Sequence, residues 1–319
     1  MKLKRQHTMI VGLVLVLIAV TTVMISWNGN DEGIFRELEE EPEISVFMHE
    51  TGEIRTMMLE DYLQGVVAGE MFPDWPVEAY AAQAIFARSF TMAFIAAGGM
   101  QEERGADIST DIQEAQAYNA EAITPEIRAG VEMTRGQVMT FDNRFVQGWF
   151  HAYSGGITST AVEGLDFQGE EPPYVTSIEL PANVYAPEDV VHWSAEYSAA
   201  ELQTLLAEVD INVGTIQAVR IVERGPTKRI TLLEIEGTNG TESLHGQRFR
   251  LLVDSTHMRS TLVEELEYAD GVLRMSGSGY GHGVGLSQWD AFKMAKDGMT
   301  PEQIATAFFA DVEVKNLYD

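Results

Sequence analysis

The stretch from Pro76 to Ala97, PVEAYAAQAIFARSFTMAFIAA, constrains this chain more than any other. A proline stands in its first turn and Gly98-Gly99 lies just past its end, the asymmetry expected of helix termini. Between Val77 and Ala97 the only charged or amide side chains are Glu78, Gln83 and Arg88. At about 100° per residue these point in widely separated directions, so the helix has no polar face. A helix apolar all round must be enclosed by the rest of the fold, and its few polar groups then need partners. A buried guanidinium is expensive unless paired, so Arg88 is either half of an ion pair, with Glu70 or Glu78 as its mate, or a substrate-binding group.

The neighbouring segments supply that enclosure. Ser45 to Met48 and Glu53 to Met57 flank Thr51-Gly52 and read as a hairpin. A helix follows from about Leu59 to Gly69, and another from Ile123 to Thr134, started by Thr124-Pro125-Glu126. Gln137 to Phe141 and Phe145 to Ala152 read as strands about the turn Asp142-Asn143. From about 190 to 275 the pattern changes. Ser198-Ala-Ala-Glu201 is a capping box, and β-like runs follow at Ile216–Glu223, Arg229–Glu236, Phe249–Val253 and Val272–Met275. That region reads as a sheet-rich second lobe. A glycine-rich loop and helices close the chain, the last begun by Thr300-Pro301-Glu302. Helices and strands that do not alternate regularly indicate an α+β fold: a helical and mixed core carrying the sheet-rich lobe.

The N-terminus is a separate unit. Residues 1–8 contain Lys2, Lys4 and Arg5, and 9–27 form an uncharged run, MIVGLVLVLIAVTTVMISW. At 1.5 Å rise such a helix is ~28 Å long, close to bilayer thickness. Its length and the lack of an A-x-A site favour an uncleaved anchor over a cleaved signal peptide, and the basic flank places residues 1–8 in the cytoplasm. Residues 28–43 read as an acidic linker, leaving 44–319 as one extracytoplasmic domain. All 49 acidic residues follow residue 30, whereas three of the 21 Lys/Arg precede it. So acidic an exterior argues against nucleic acid or an anionic membrane surface as partner. With no Cys, disulfides and thiolate metal sites are excluded.

Several residues carry candidate chemistry. Leu59, Leu63, Val66 and Glu70 fall on one helical stripe that is apolar until the carboxylate, and Gly69 leaves room for close approach. A carboxyl at the edge of an apolar face is partly desolvated, holding its proton toward neutral pH; the alternative is a helix-end glutamate pointing to water. Phe150-His151-Ala-Tyr-Ser154-Gly155-Gly156 sets a His and a Ser at a strand end entering a glycine turn. Gly277 to Gly285 places His282 in a loop with glycine at every second position, followed by Ser287-Gln288 at a helix start. A ligand-binding loop and a tight structural turn both fit that pattern. Zinc-protease and α/β-hydrolase motifs are missing.

Taken together, LEDYLQGVVAGEM (59–71), WPVEAYAAQAIFARSF (75–90), FHAYSGGIT (150–158) and GSGYGHGVGLSQWDAFKMAKDG (277–298) resemble, in order, the stage II sporulation protein D family (SpoIID/LytB domain), membrane-anchored lytic transglycosylases. The resemblance covers most of the chain from about residue 44. It implies a lyase that cleaves the bond between N-acetylmuramic acid and N-acetylglucosamine with 1,6-anhydro product. The glycan would be stripped of stem peptides, in septal wall remodelling and engulfment during sporulation. The Glu of the G-E-M motif, Glu70, would be the acid/base. Arg88, His151, Ser154, Gly155, Gly156, His282 and Gln288 would lie around the substrate. Expected partners are glycan strands, sporulation proteins P and M, and the membrane. Some members bind zinc through Cys and His, but Ala115 stands where a Cys would precede Gln116-Ala-Tyr118, and His151 with His282 is too few for a closed site. No cofactor is therefore expected. Phe72 and Ala81 also depart from the usual pattern. The same domain occurs in proteins described as amidase enhancers, so a non-catalytic peptidoglycan-binding protein is the alternative.

Overall fold

A computed structural model describes residues 33–318. The expected anchor at 9–27 lies outside them; among the described residues no helix is long and apolar enough to cross a membrane. Strands β1 (Glu43–Met48) and β2 (Glu53–Met58) form the expected antiparallel hairpin. Helix α1 (Leu59–Glu70) follows directly, then α2 (Val77–Ala96). As its all-round apolar character requires, α2 runs through the middle of the larger hydrophobic cluster, burying Tyr80, Ala84, Ile85, Phe86 and Ala87 completely. β3 (Ile108–Ser109) adds to β1 in parallel.

Thr124 caps α3 (Pro125–Met133) by accepting from the Ile127 N–H. The chain then enters β4 (Gln137–Phe141) and β5 (Arg144–Phe145), joined by Asp142 and Asn143, both at positive φ. The strand expected from Phe145 to Ala152 is not continuous: β5 ends at Phe145, and β6 is only Phe150–His151. Gly148 explains the break. A Cβ there would lie 2.2 Å from the Phe86 carbonyl oxygen, so the backbone is pressed flat on α2 and leaves no room for a paired strand.

After α4 (Ala161–Leu165) and α5 (Glu188–Val191) comes a second hydrophobic cluster, drawn entirely from residues 193–275. It contains β7 (His192–Ser198), α6 (Ala199–Glu208), β8 (Ile216–Arg224), β9 (Ile230–Gly237), β10 (Gly240–Leu244), α7 (Gly246–Leu252), β11 (Val263–Ala269) and β12 (Val272–Ser278). The strands form two antiparallel sheets, ordered β10-β9-β8 and β11-β12-β7. The capping box at Ser198 and Glu201 starts α6 as read. Phe249–Val253, read as a strand, is helical in α7. Phe249, Leu252 and Val253 are spaced for one helical face, and His245 caps the helix through the Gln247 N–H.

The chain returns through β13 (Leu286–Ser287), α8 (Gln288–Lys296), α9 (Pro301–Thr306) and β14 (Glu313–Asn316). β13 pairs in parallel with β6, setting Ser287 beside His151, while β14 pairs with β4. The later part of the segment read as a linker is docked on the domain. Phe35 N–H bonds the Asn143 carbonyl, Leu38 N–H bonds Leu317, and both apolar side chains pack on the main cluster. The mixture of helices and several small sheets is α+β.

Candidate active site

The last residue of α1 is the centre of the site. Glu70 is 5% exposed, and Oε1 accepts from the Ala117 N–H at 2.8 Å while Oε2 has no hydrogen-bond partner among the described residues. Burial pushes the carboxyl up to about 8, against the single backbone hydrogen bond that favours the anion. At neutral pH it is therefore mostly protonated, holding a proton that no acceptor among the described residues receives. Gly69 makes the Ala117 contact possible. A Cβ at position 69 would lie 2.7 Å from the Tyr118 nitrogen and 2.8 Å from the Ala117 carbonyl carbon. Gly65 does the same one turn earlier, where a Cβ would strike the Tyr118 ring.

Unmatched polar atoms gather in the packing around this carboxyl. The Tyr62 hydroxyl is raised by burial and by the charge of Glu70, and has no partner. Gln116 reaches the Ala87 carbonyl with its amide nitrogen and leaves Oε1 unpaired. Gln288 Nε2 donates to the Glu70 carbonyl at 3.2 Å and to Gln83 Oε1 at 3.4 Å, leaving Gln83 Nε2 without an acceptor. Buried polar groups are normally satisfied, so several orphans beside one another mark a place built for something other than stability.

The two glycine-containing segments meet at Ser287, next in the chain to Gln288. The Ser154 N–H bonds Ser287 Oγ at 3.0 Å, and Ser154 Oγ donates to Asp290 Oδ2 at 2.8 Å while accepting from the Gly156 N–H. Ser287 Oγ donates to the same Asp290 oxygen at 2.5 Å, and Asn183 donates to Oδ1. Burial raises the Asp290 carboxyl, and the hydroxyls of Ser287 and Ser154 with the Asn183 amide pull it back. Gly155 and Gly156 adopt positive φ, so the turn they make is one that side-chain-bearing residues resist. His282 Nε2 sits 2.9 Å from the Phe150 carbonyl and its Nδ1 accepts from the Val284 N–H, which fixes a neutral tautomer. His151 Nδ1 faces the Val284 carbonyl at 3.2 Å, and its Nε2 is unpartnered. Burial and the Arg250 charge lower His282 to about 3; burial, His282 and Arg229 lower His151 well below its ordinary value.

Two hydrogen-bonded groups result, Glu70 with Gln288 and Gln83, and Ser154 with Ser287, Asp290 and the Gly155-Gly156 turn, adjoining through the Ser287-Gln288 peptide. His151 and His282 are held separately, by Val284 and Phe150. The structure corrects the reading of Arg88 as a substrate-binding residue. Arg88 is fully buried and makes a forked pair with Glu60, at 2.9 and 2.6 Å, and also donates to the Gln137 carbonyl. Neither Glu70 nor Glu78 is its mate. Both histidines lie in the interior, holding the loops rather than lining an open surface. Sequence reasoning passed over Asp290, the acceptor that joins both serines; its place in the first turn of α8, three residues after Ser287, was the available signal. Among the described residues no group of three or more His, Cys, Asp or Glu is placed to hold a metal ion. Ala115 is buried against the core, with no donor to offer one.

Residues 48–141 match a family described as stage II sporulation protein, SpoIID, and residues 177–285 match a domain of unknown function, DUF8618. The chain is 26% identical to the stage II sporulation protein D of Bacillus amyloliquefaciens over 87% of its own length and 80% of that protein. It is 26% identical to that of Bacillus subtilis over 85% and 78%. An uncharacterized protein of Brachyspira hyodysenteriae is also 26% identical, over 82% of this chain and 67% of that protein.

Proposed function

The chain belongs to the stage II sporulation protein D family, and on that premise we propose that it is a peptidoglycan lytic transglycosylase with Glu70 as its single acid/base. The observation that carries the reading is the burial of Glu70 with its carboxyl pushed up to about 8 and one oxygen unpartnered. A transglycosylase of this kind needs one carboxyl that gives a proton and then takes one back, not the pair that water-using glycosidases employ. Protonated Glu70 donates to the oxygen linking N-acetylmuramic acid to N-acetylglucosamine, and the C1–O bond breaks with its electrons leaving on that oxygen. The carboxylate then accepts the proton of the muramic C6 hydroxyl as O6 bonds to C1. The 1,6-anhydro ring closes without water, and the enzyme regains its proton. Gln288 fixes the backbone at Glu70, and Ser154 with Asp290 fixes the Gly155-Gly156 turn.

The wider setting goes with this reading: action on the septal wall in sporulation, an anchor at 9–27 with the domain outside, and sporulation proteins P and M as partners. Incubation of residues 33–319 with glycan strands lacking stem peptides, followed by mass spectrometry, tests the chemistry. Anhydro-muramic ends support it, and their loss in Glu70→Gln assigns them to this carboxyl. The close wrapping of Glu70 favours the rival reading of a non-catalytic binding protein or amidase enhancer, which predicts strand binding with no anhydro ends. Reducing ends in place of anhydro ends would indicate a hydrolase and sink both.

A further inference from the structure

Beside Glu70 lies an aromatic surface that none of the chemistry above uses. Phe72 follows Glu70 by two residues, and Trp289 follows Gln288. Trp75, 7% exposed, forms the floor, with ring centroids 4.7 Å from Trp289, 5.1 Å from Phe292 and 6.2 Å from Phe72. Phe72, Trp289 and Phe292 are only half-buried, and Tyr185, 44% exposed, continues the row at 5.3 Å from Phe292. The loop that carries Tyr185 is tied down, since Asn183 donates to both the Trp289 carbonyl and Asp290. A closed core would cover these rings. Here they cluster on Trp75, with Phe72 nearest Glu70 in the chain and Tyr185, reached through Phe292, the most exposed.

We propose that Phe72, Trp289, Phe292 and Tyr185 form a stacking subsite for the N-acetylated sugar rings of the glycan on one side of the scissile bond. The inference rests on the transglycosylase reading and names how that site holds its substrate. Two features choose this occupant. The shelf begins at Phe72, two residues after Glu70, and its Trp289 follows Gln288, which donates to the Glu70 carbonyl, so the rings adjoin the carboxyl along the chain. The chain carries a formal charge of −28, so it gains nothing from long-range attraction to a strand bearing lactyl carboxylates. Affinity must come from contacts indifferent to charge. The C–H face of a pyranose on the electron-rich face of an aromatic ring is such a contact.

The test uses Glu70→Gln protein so that binding is read without turnover, with chitohexaose as probe and tryptophan fluorescence as signal. Phe292→Ala and Tyr185→Ala should each weaken binding roughly three- to tenfold, the scale of one lost aromatic contact. Phe292→Tyr should retain binding. Circular dichroism and thermal midpoints establish that the variants are folded. Unchanged affinity in folded Phe292→Ala and Tyr185→Ala overturns the subsite. The two ideas fail separately. Anhydro products with no aromatic dependence of KM would remove the subsite and leave the enzyme, whereas ring-dependent binding without anhydro products would keep the subsite and remove the chemistry.

Discussion

Helix α1 has a buried carboxyl at each end, and the two are opposite in every property that matters. Glu60, in the first turn, receives Arg88 on both oxygens, the Gly136 N–H at 3.0 Å and the Tyr318 hydroxyl. Burial alone would raise it, but Arg88 and these donors hold it below the ordinary carboxylate range. Glu70, in the last turn, has the Ala117 N–H alone, and burial prevails, taking it to about 8. Depth is the same; the supply of donors differs. A buried carboxyl surrounded by donors is an anion that fastens elements together, and one left nearly alone is an acid held ready for use.

The sharpest way to break this contrast is by activity. Glu70→Gln keeps an acceptor for the Ala117 N–H but has no proton to transfer, and loss of anhydro-product formation on the order of 10²–10⁴-fold is expected. Glu60→Gln should alter turnover only as far as it alters the folded fraction. Comparable turnover losses in folded samples of both variants would erase the distinction.

Stability should respond the other way round. Arg88→Met strands Glu60 in the interior and should cost about 3–5 kcal/mol in urea unfolding. Adding Glu60→Gln to Arg88→Met should restore much of that, because the uncompensated charge is gone. If the double variant is no more stable than Arg88→Met alone, the pair is not the fastening it resembles. Because Glu60 is depressed, its contribution is complete above its unfolded value, near 4.5, and is lost as pH falls below it.

For Glu70 the pH dependence has the opposite sign. Its ordinary value is 4.5 and its folded value about 8, so between them the unfolded chain has released a proton that the native chain keeps. Stability therefore falls as pH rises through that window. Glu70→Gln removes the effect. The variant should be more stable than the parent by on the order of 3 kcal/mol at pH 7, with the gap absent near pH 4.5 and level above pH 8. Unfolding midpoints at three pH values suffice, and a gap that does not vary with pH contradicts a raised carboxyl.

What could be read from the residues follows the same division. Local signals carried the fold: the apolar helix α2, the caps at Thr124 and Ser198, and the Asp142-Asn143 turn all depend on neighbours in the chain. Glu70 was legible because it interrupts an apolar stripe on its own helix. Glu60 was not, since beside Asp61 it has the look of an ordinary acidic first turn. Its partners Arg88, Gly136 and Tyr318 lie 28, 76 and 258 residues away, and only tertiary folding gathers them. Arg88 was misassigned for the same reason. In α7 a short apolar run fits strand and helix alike, and burial of Phe249 and Arg250 decides for the helix.

The smallest expected effect concerns the histidine pair, whose rings lie 5.4 Å apart. His282 is held neutral, its Nδ1 already accepting from Val284 N–H, so a proton there displaces a hydrogen bond as well as charging a dry interior. With a folded value of about 3 against an ordinary 6.5, the unfolded chain binds the proton first, and stability is lost as pH falls below 6.5. Between pH 6.5 and 5 the loss from His282 should be about 2 kcal/mol; the Glu70 effect runs the opposite way over the same window, so the loss is read in Glu70→Gln protein, which lacks it. In the Glu70→Gln background, adding His282→Gln should lower stability at pH 7 for want of matched hydrogen bonds, yet give a shallower decline toward pH 5. An unchanged slope would mean that His282 takes up its proton in the folded state at little cost, and that the loop around it is wetter than its packing indicates.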